Sequence, residues 1–178
     1  MRMVGDTGPA TERDLNAGRL RCPSCGGVLR PWGNARTRTI RFGSGVARAV
    51  RPRRARCGTC GATHVLLPDW MLLRRAYAAP VIWSALAAHA RGVGYRRIAL
   101  RLRLPATTIR DWFRAFRLVE PALVAQLGLA GTSAVLAFER LAQSGPAWRV
   151  AVRLTAGRLL RNTSPPHAAG TLPSARPP

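Results

Sequence analysis

The spacing of apolar side chains changes near residue 69, and this change divides the chain into a β-rich part and a helical part. In residues 19–68, short runs of alternating and β-branched residues predict strands. Residues 36–42 and 46–50 would pair across the loop Gly43-Ser44-Gly45, and residues 64–67 would form a last strand ended by Pro68. Residues 31–34, Pro-Trp-Gly-Asn, are a turn signal. This part is predicted to be a small antiparallel sheet.

Beyond residue 69 the apolar residues recur at helical spacing. Residues 80–91 carry one apolar stripe at i, i+3, i+4 and i+7, formed by Ile82, Ala85, Leu86 and His89. Pro80 is tolerated in the first turn of such a helix, and the glycines at 92 and 94 end it. Because His89 continues the stripe, we expect it to pack in the core rather than to bind a ligand.

Two further helices joined by a tight turn are predicted in residues 95–117. The apolar face of the first consists of Tyr95, Ile98, Ala99 and Leu102. The core stripe of the second consists of Ile109, Trp112, Phe113 and Phe116, and Pro105 fits its first turn. Such a pair of helices is typical of a helix-turn-helix, whose second helix enters the major groove of DNA.

The face of the second helix opposite its core stripe is polar and cationic, and consists of Thr107, Arg110, Arg114 and Arg117. Arg110 and Arg114 are candidates for reading guanine edges, and Thr107 for contacting a phosphate or a thymine methyl. We also predict DNA contacts from Arg96 and Arg97 of the first helix. The alternative is a generic helical hairpin with a solvated arginine face.

The two ends of the chain say less about function. Residues 1–18 are predicted to be a disordered leader, because they hold glycine and proline and few apolar side chains. Residues 119–161 are predicted to form C-terminal helices over 121–128, 132–143 and 146–161, which would pack on the helix-turn-helix or provide a homodimer contact. Residues 162–178 are predicted to be a disordered tail.

Charge identifies the class of partner. The chain has 29 basic and 7 acidic residues and a net charge of +22, and every basic residue is arginine. A GC-rich genome would explain arginine in place of lysine, but not the imbalance of sign. Such a field is self-repulsive unless a polyanion neutralises it, so nucleic acid, most of all double-stranded DNA, is the expected partner. An anionic membrane fits less well, because the arginines are spread over strands and turns.

One arginine run lies inside the predicted sheet and consists of Arg51, Arg53, Arg54 and Arg56. Alternation along a strand would place Arg51 and Arg53 on one face, and Arg54 and Arg56 on the other. With almost no acidic residues nearby in the sequence, intramolecular pairing does not explain this run. We therefore expect these side chains to contact phosphates, with a merely solvated face as the alternative.

Four cysteines fall into two pairs with the same spacing, Cys22 with Cys25 and Cys57 with Cys60, and a glycine follows each pair. This is the pattern of two knuckles that together supply four thiolates to one structural Zn²⁺. A redox C-x-x-C motif and two disulfides are the alternatives, and a four-thiolate site also suits iron. His64 is better explained as a strand residue than as a fifth ligand.

No pattern in the sequence indicates an enzyme, an exported protein or a membrane span. The longest apolar stretch, residues 76–90, is too short for a bilayer and is interrupted by Pro80 and His89. After the predicted helix-turn-helix only Glu120 and Glu139 remain as acids, too few for a two-metal nuclease site. We expect a cytoplasmic, nucleoid-associated protein with no catalytic site and no small-molecule substrate.

Taken in order, these motifs resemble the N-terminal DNA-binding part of bacterial transposases with a zinc-finger head. They resemble still more a group of small bacterial proteins that pair such a ribbon with a helix-turn-helix and have no catalytic domain. The resemblance covers residues 20–118 and rests on Cys22-Pro-Ser-Cys-Gly26, Arg53-Arg-Ala-Arg-Cys57, Cys60 and residues 98–112. One departure is Arg103, which stands where such motifs commonly have the glycine of the turn.

The sequence thus predicts an α+β fold, with a small antiparallel zinc ribbon over residues 19–68 and an all-α helix-turn-helix region over residues 69–118. The predicted function is zinc-dependent DNA binding, as a transcriptional regulator or a catalytically inactive transposase-like protein. The alternatives are an RNA- or ribosome-binding zinc ribbon and a protein-interaction adaptor.

Overall fold

The computed structural model describes residues 2–5, 8–126, 128, 133–141 and 149–151, and has an α+β fold, as predicted. Its strands are β1 (Arg2–Val4), β2 (Leu29–Asn34), β3 (Arg38–Arg41), β4 (Ala47–Val50), β5 (Arg53–Cys57) and β6 (Thr63–Pro68). Its helices are α1 (Pro9–Asn16), α2 (Ala79–Ala90), α3 (Tyr95–Leu102), α4 (Ala106–Arg117), α5 (Glu120–Gln126) and α6 (Ala134–Leu141).

The strands form two separate sheets. A four-stranded sheet has the order β1-β6-β5-β2, in which β5 is antiparallel to both neighbours and β1 is parallel to β6. The second sheet is the antiparallel hairpin β3–β4, with Ile40 opposite Arg48. The predicted turn at Pro31-Trp32-Gly33-Asn34 is wrong, because these residues belong to β2, where the register shifts between Pro31 and Asn34.

The start of the chain is ordered where a disordered leader was predicted. Strand β1 pairs with Leu66–Pro68 of β6, and α1 buries Leu15, which is 1% exposed. The prediction was wrong because so few apolar side chains are needed here. Within residues 1–18 only Val4 and Leu15 are described as members of the ribbon cluster, and two such residues give no periodic signal.

The buried side chains form two clusters. The ribbon cluster contains Val4, Leu15, Leu20, Cys22, Leu29, Ala55, Cys57 and Leu66. The helical cluster contains Leu67, Met71 and the apolar faces of α2, α3 and α4. Strand β6 belongs to both, because neighbouring side chains of a strand point to opposite faces, with Leu66 in one cluster and Leu67 in the other.

The hairpin β3–β4 packs with the helices, although it lies within the segment predicted as the ribbon. Ile40 is fully buried in the helical cluster. The Arg41 N–H donates to the Ala76 carbonyl at 2.7 Å, and the Ala78 N–H donates to the Arg41 carbonyl at 2.9 Å. The Phe42 ring lies 5.4 Å from that of Trp70. The insertion between the two cysteine pairs is therefore a support for the helical part.

Helices α3 and α4 are joined by a short turn, and their predicted core stripes are confirmed. Ile98 and Ala99 of α3 are buried, as are Ile109, Trp112, Phe113 and Phe116 of α4. Arg103 ends α3 in the left-handed region, with φ of 53°. The Leu104 N–H donates to the Ala99 carbonyl at 3.0 Å, and the Arg103 N–H donates to the Leu100 carbonyl at 3.2 Å. This is a Schellman motif, which normally has glycine at the left-handed position.

Two of the predicted C-terminal helices correspond to α5 and α6. The Glu120 carboxylate accepts hydrogen bonds from the Ser133 hydroxyl at 2.8 Å and the Ala134 N–H at 3.1 Å, and so caps α6. Of the third predicted helix only residues 149–151 are described, and they are helical. The predicted tail, residues 162–178, lies outside the described residues. Within the described ranges, no helix has the length and apolar character needed to cross a bilayer.

Candidate metal centre and cationic surfaces

The first cysteine pair forms a tight knuckle. The Cys22 N–H donates to the Gly27 carbonyl at 2.7 Å, and the Gly26 N–H donates to the Cys22 carbonyl at 2.9 Å. Gly26 has φ of 73°, which favours glycine. The Ser24 N–H lies 3.4 Å from the Cys22 sulfur and donates to it.

The second cysteine pair repeats this geometry. The Cys57 N–H donates to the Ala62 carbonyl at 2.9 Å, and the Gly61 N–H donates to the Cys57 carbonyl at 3.1 Å. Gly61 has φ of 70°, and the Cys60 N–H donates to the Cys57 sulfur at 3.5 Å. The two knuckles are equivalent, as the identical spacing predicted.

The four sulfur atoms converge on one point. All lie within 4.8 Å of one another, with 3.8 Å between Cys22 and Cys60 and 3.5 Å between Cys25 and Cys57. A tetrahedral ion with metal–sulfur bonds of about 2.3 Å would separate its sulfurs by about 3.8 Å. Cys22, Cys25, Cys57 and Cys60 are therefore placed to hold one metal ion.

The protein environment favours ionisation of one thiol in each knuckle. Burial opposes ionisation of Cys22, but the N–H groups of Ser24 and Cys25 together with the sulfurs of Cys60 and Cys25 outweigh it and lower its pKa to about 7. The Cys60 and Thr59 N–H groups lower the pKa of Cys57 to about 6, again against burial. Since the thiolate is the ligand form, the knuckles are prepared for a metal by their own backbone.

Cys25 shows the opposite tendency. The Gly27 N–H lowers its pKa, but the sulfurs of Cys60 and Cys57 raise it more, to about 12. Crowded sulfurs cannot all carry negative charge without a cation between them. A metal ion supplies that cation, so this donor set fits a metal better than four free thiols.

Two further residues, His64 and Gly27, lie against the cysteine sulfurs. The His64 Nε2 lies 3.3 Å from the Cys22 sulfur, and the histidine is 5% exposed. A Cβ added at Gly27 would lie 2.8 Å from the Thr59 Cβ and 3.0 Å from the Cys57 sulfur, so only glycine fits here without a shift. His64 lies in β6, as predicted, but the sequence did not predict its contact with Cys22 or the close approach at Gly27, because each depends on which group lies across the sheet or across the knuckles.

The predicted face of α4 is exposed along its length, with Thr107, Arg110, Arg114 and Arg117 all in contact with solvent. Arg114 lies 3.9 Å from the Asp111 carboxylate, at the limit of an ion pair. Arg96 and Arg97 of α3 are also exposed, and the Arg96 guanidinium lies 5.8 Å from the centre of the Tyr95 ring.

The predicted core role of His89 is wrong. This side chain is exposed, and its ring stacks on Phe113 with 4.0 Å between the centroids. His89 lies near the end of α2, where the apolar stripe reaches the rim of the core.

The arginine run over residues 51–56, of which residues 53–56 lie in β5, contains arginines with an ion-pair partner and arginines exposed to solvent. The Arg53 Nε lies 2.9 Å from the Glu12 carboxylate, so the expectation that this run has no intramolecular partner is wrong for Arg53. Glu12 lies on α1, within residues 1–18, for which the sequence predicts a disordered leader. Arg51 and Arg56 are exposed, and the Arg54 Nη2 donates to the Thr63 hydroxyl at 3.5 Å.

Carboxylates are few, and those described are engaged elsewhere. The ion pairs are Asp14–Arg19, Glu12–Arg53, Asp69–Arg149, Glu139–Arg91 and the long Asp111–Arg114 contact, whereas Glu120 caps α6. Within the described part of the chain, no carboxylate therefore pairs with Arg30, Arg56, Arg96, Arg97, Arg110 or Arg117. Two cationic surfaces result, one on α3–α4 and one on the ribbon.

Comparison with known proteins adds a family but no activity. No curated protein and no solved structure matches the chain. A domain family matches residues 22–112, about half of the chain, from the first of the four clustered cysteines to Trp112 in α4. The matched segment thus contains both knuckles, the hairpin β3–β4 and most of the helix-turn-helix. The chain belongs to DUF6431, a family described as a domain of unknown function.

Proposed function

We propose that this protein is a zinc-dependent DNA-binding protein, acting as a transcriptional regulator or as a catalytically inactive transposase-like binding protein. The observation that carries the proposal is the exposed arginine face of α4, which has almost no carboxylate partner. That face belongs to the second helix of a helix-turn-helix, the element that enters the major groove in proteins of this architecture.

The proposed metal is Zn²⁺. Four cysteine sulfurs at tetrahedral separation, on two backbone-supported knuckles, are the ligand set of a closed structural zinc site. Iron accepts the same ligands, so the experiment below measures both metals. When bound, the ion joins the two knuckles and so fixes β5 and β6 relative to the segment around Cys22.

The DNA contacts divide by role. Arg110 and Arg114 are assigned to guanine edges and Thr107 to a phosphate or thymine methyl, because they lie along one exposed face of α4. Phosphate contacts are assigned to Arg96, Arg97, Arg117, Arg51, Arg54 and Arg56. Arg53 is left out, because Glu12 already neutralises its guanidinium. A protein with this surface would associate with the nucleoid.

The test is binding of the full chain to duplex DNA across a salt series, with zinc and iron measured on the same sample. We expect one zinc per chain and an affinity that falls steeply with salt, because several phosphates are neutralised. Arg110→Ala and Arg114→Ala should each cost about 1–3 kcal/mol on the preferred sequence. Arg140→Ala, an exposed arginine of α6, is the matched control and should change affinity little.

Two results would overturn the proposal. Unchanged affinity in both α4 variants would mean that this face does not read DNA, and would favour a protein-interaction adaptor. Tighter binding to structured RNA than to duplex DNA, in direct competition, would move the function to RNA.

A further inference from the structure

An exposed tryptophan lies at the edge of the ribbon sheet. Trp32 is 50% exposed, although tryptophan is among the side chains that gain most from burial. It lies in β2, the last strand of the four-stranded sheet, where the register shifts between Pro31 and Asn34. Irregularities of this kind occur at sheet edges and next to functional sites, where they re-aim a side chain.

The backbone conformation of this edge strand is stabilised by contacts with Arg53 of β5, which in turn contacts α1. Gly33 has φ of 83°, and its carbonyl accepts a hydrogen bond from the Arg53 Nη1 at 3.2 Å. Arg53 is itself fixed by Glu12 of α1. Arg53, which pairs with Glu12, thus supports the backbone that presents Trp32.

Two arginines lie near the indole in the sheet, Arg56 over its ring and Arg30 two residues before it in β2. The Arg56 guanidinium lies 4.8 Å from the centre of the Trp32 ring, and its Nε donates to the Gly61 carbonyl at 3.3 Å. Arg30 stands directly opposite Arg56 in the β2–β5 ladder. Like charges in directly opposite positions destabilise a sheet, and no described carboxylate pairs with either arginine. The arrangement costs stability in the free protein, and a bound anion would remove that cost.

An exposed indole with one arginine over its ring and a second arginine on its own strand has the chemistry of a base-stacking site. Single-stranded nucleic acids are bound by aromatic rings that stack on bases, with basic side chains along the backbone phosphates. A base inside a continuous duplex has no free face to offer, so only an unpaired base fits this position. A purely electrostatic phosphate contact would need the arginines but not the tryptophan.

We propose that Trp32, Arg30 and Arg56 form a stacking site for an unpaired DNA base, so that the protein binds duplex DNA best where it adjoins a single-stranded segment. This inference rests on the proposed DNA-binding function and adds a ligand class for the ribbon. The indole stacks on the base, while Arg30 and Arg56 contact the phosphates beside it.

The test uses the full metal-bound chain and two probes, a continuous duplex and the same duplex with a short single-stranded gap. We expect the gapped probe to bind about 5- to 150-fold more tightly, the range for one stacked base. Trp32→Ala should remove that preference and leave binding to the continuous duplex unchanged. Trp32→Phe keeps an aromatic ring and should retain most of the preference for the gapped probe.

A spectroscopic readout separates stacking from a general loss of affinity. The tryptophan fluorescence of Trp32 is obtained as the difference between wild type and Trp32→Phe, which keeps the other tryptophans. Adding the gapped probe should quench this difference signal. Because Trp32 is half exposed, Trp32→Ala should keep the metal content and thermal midpoint of the wild type, which checks that the variant folds.

The outcomes distinguish the two proposals. Equal binding of both probes, or a gap preference that survives in Trp32→Ala, overturns the stacking site and leaves duplex binding standing. Binding to the gapped probe through Trp32 without any affinity for the continuous duplex supports the stacking site and overturns the proposed duplex function. Binding to neither probe overturns both.

Discussion

The ribbon and the helical part are stabilised by different means. The buried cluster of the ribbon includes two of the four candidate metal ligands, Cys22 and Cys57, among a handful of aliphatic side chains. The helical cluster contains no cysteine and is built from aliphatic and aromatic residues of α2, α3, α4, α5 and α6. A small sheet that buries little apolar surface needs a crosslink, whereas a larger core does not.

The two parts are nevertheless joined by one strand. Strand β6 supplies Leu66 to the ribbon cluster and Leu67 to the helical cluster, and the hairpin β3–β4 leaves the ribbon to pack on the helices. We therefore expect the stability of the ribbon and that of the helical part to respond differently to perturbation. Metal should matter for one part, and core packing for the other.

The largest effect is expected from loss of the metal. Structural zinc contributes about 10–16 kcal/mol in zinc-finger peptides, so Cys57→Ser or chelation should leave the ribbon without fixed tertiary structure. The helices should remain folded, because their core contains no ligand. Amide NMR signals, followed separately for residues 53–68 and 79–117, measure this.

Ser24→Ala is the matched control for that experiment. Ser24 is exposed within the first knuckle and supplies only its backbone N–H to Cys22, so this variant should keep the metal. Simultaneous loss of ribbon and helix signals in Cys57→Ser would mean that β6 makes the two parts one cooperative unit.

The next largest effect is expected in the helical core. Ile109 of α4 is fully buried, so Ile109→Ala should destabilise the helical part by about 2–5 kcal/mol through lost contacts and a cavity. Denaturant unfolding measures this, and one metal ion per chain should still bind. Leu118→Ala is the control, because Leu118 is 64% exposed and should change stability by less than about 0.5 kcal/mol. Loss of metal in Ile109→Ala would contradict the independence of the two parts.

A smaller effect is expected where the two knuckles touch. Gly27→Ala would bring a methyl group to 3.0 Å from the Cys57 sulfur, and overpacking of this kind costs about 1–3 kcal/mol. Metal affinity, measured by competition with a chelator, should fall accordingly. In Gly58→Ala the added carbon meets no other group closer than 3.8 Å, so its metal affinity should stay near the wild-type value. Equal losses in both variants would show that the knuckles tolerate no side chain at all.

The smallest effect is a stabilisation. A left-handed conformation costs a non-glycine residue about 1–2 kcal/mol, while glycine adds about 0.4–1 kcal/mol of unfolded-state entropy. Arg103→Gly should therefore stabilise the helical part by about 0.5–1 kcal/mol, seen as a higher thermal midpoint. Arg101→Gly, two residues earlier within α3, should lower it by a similar amount. A lower midpoint in Arg103→Gly would mean that the Arg103 side chain makes a contact worth more than the backbone strain.

Features that depend only on residues close together in the sequence were predictable from the sequence alone. The two cysteine knuckles and the stripes of α3 and α4 depend on neighbours along the chain. The left-handed conformation of Arg103 was not predicted, because the sequence shows only that the usual glycine of the turn is missing. The exposed face of α4 follows from the same helical periodicity. Helical spacing and the C-x2-C turn thus predict the candidate metal ligands and one candidate DNA-contacting surface.

Features that depend on contacts between distant segments needed the tertiary structure. Only the fold places Glu12 beside Arg53, His64 beside Cys22 and Arg30 opposite Arg56. Only the fold shows that residues 2–4 complete a sheet and that Ile40 belongs to the helical core. The physical reason is the same in each case. Strand register and docking are set by the sum of many weak contacts, and no short stretch of sequence contains that sum.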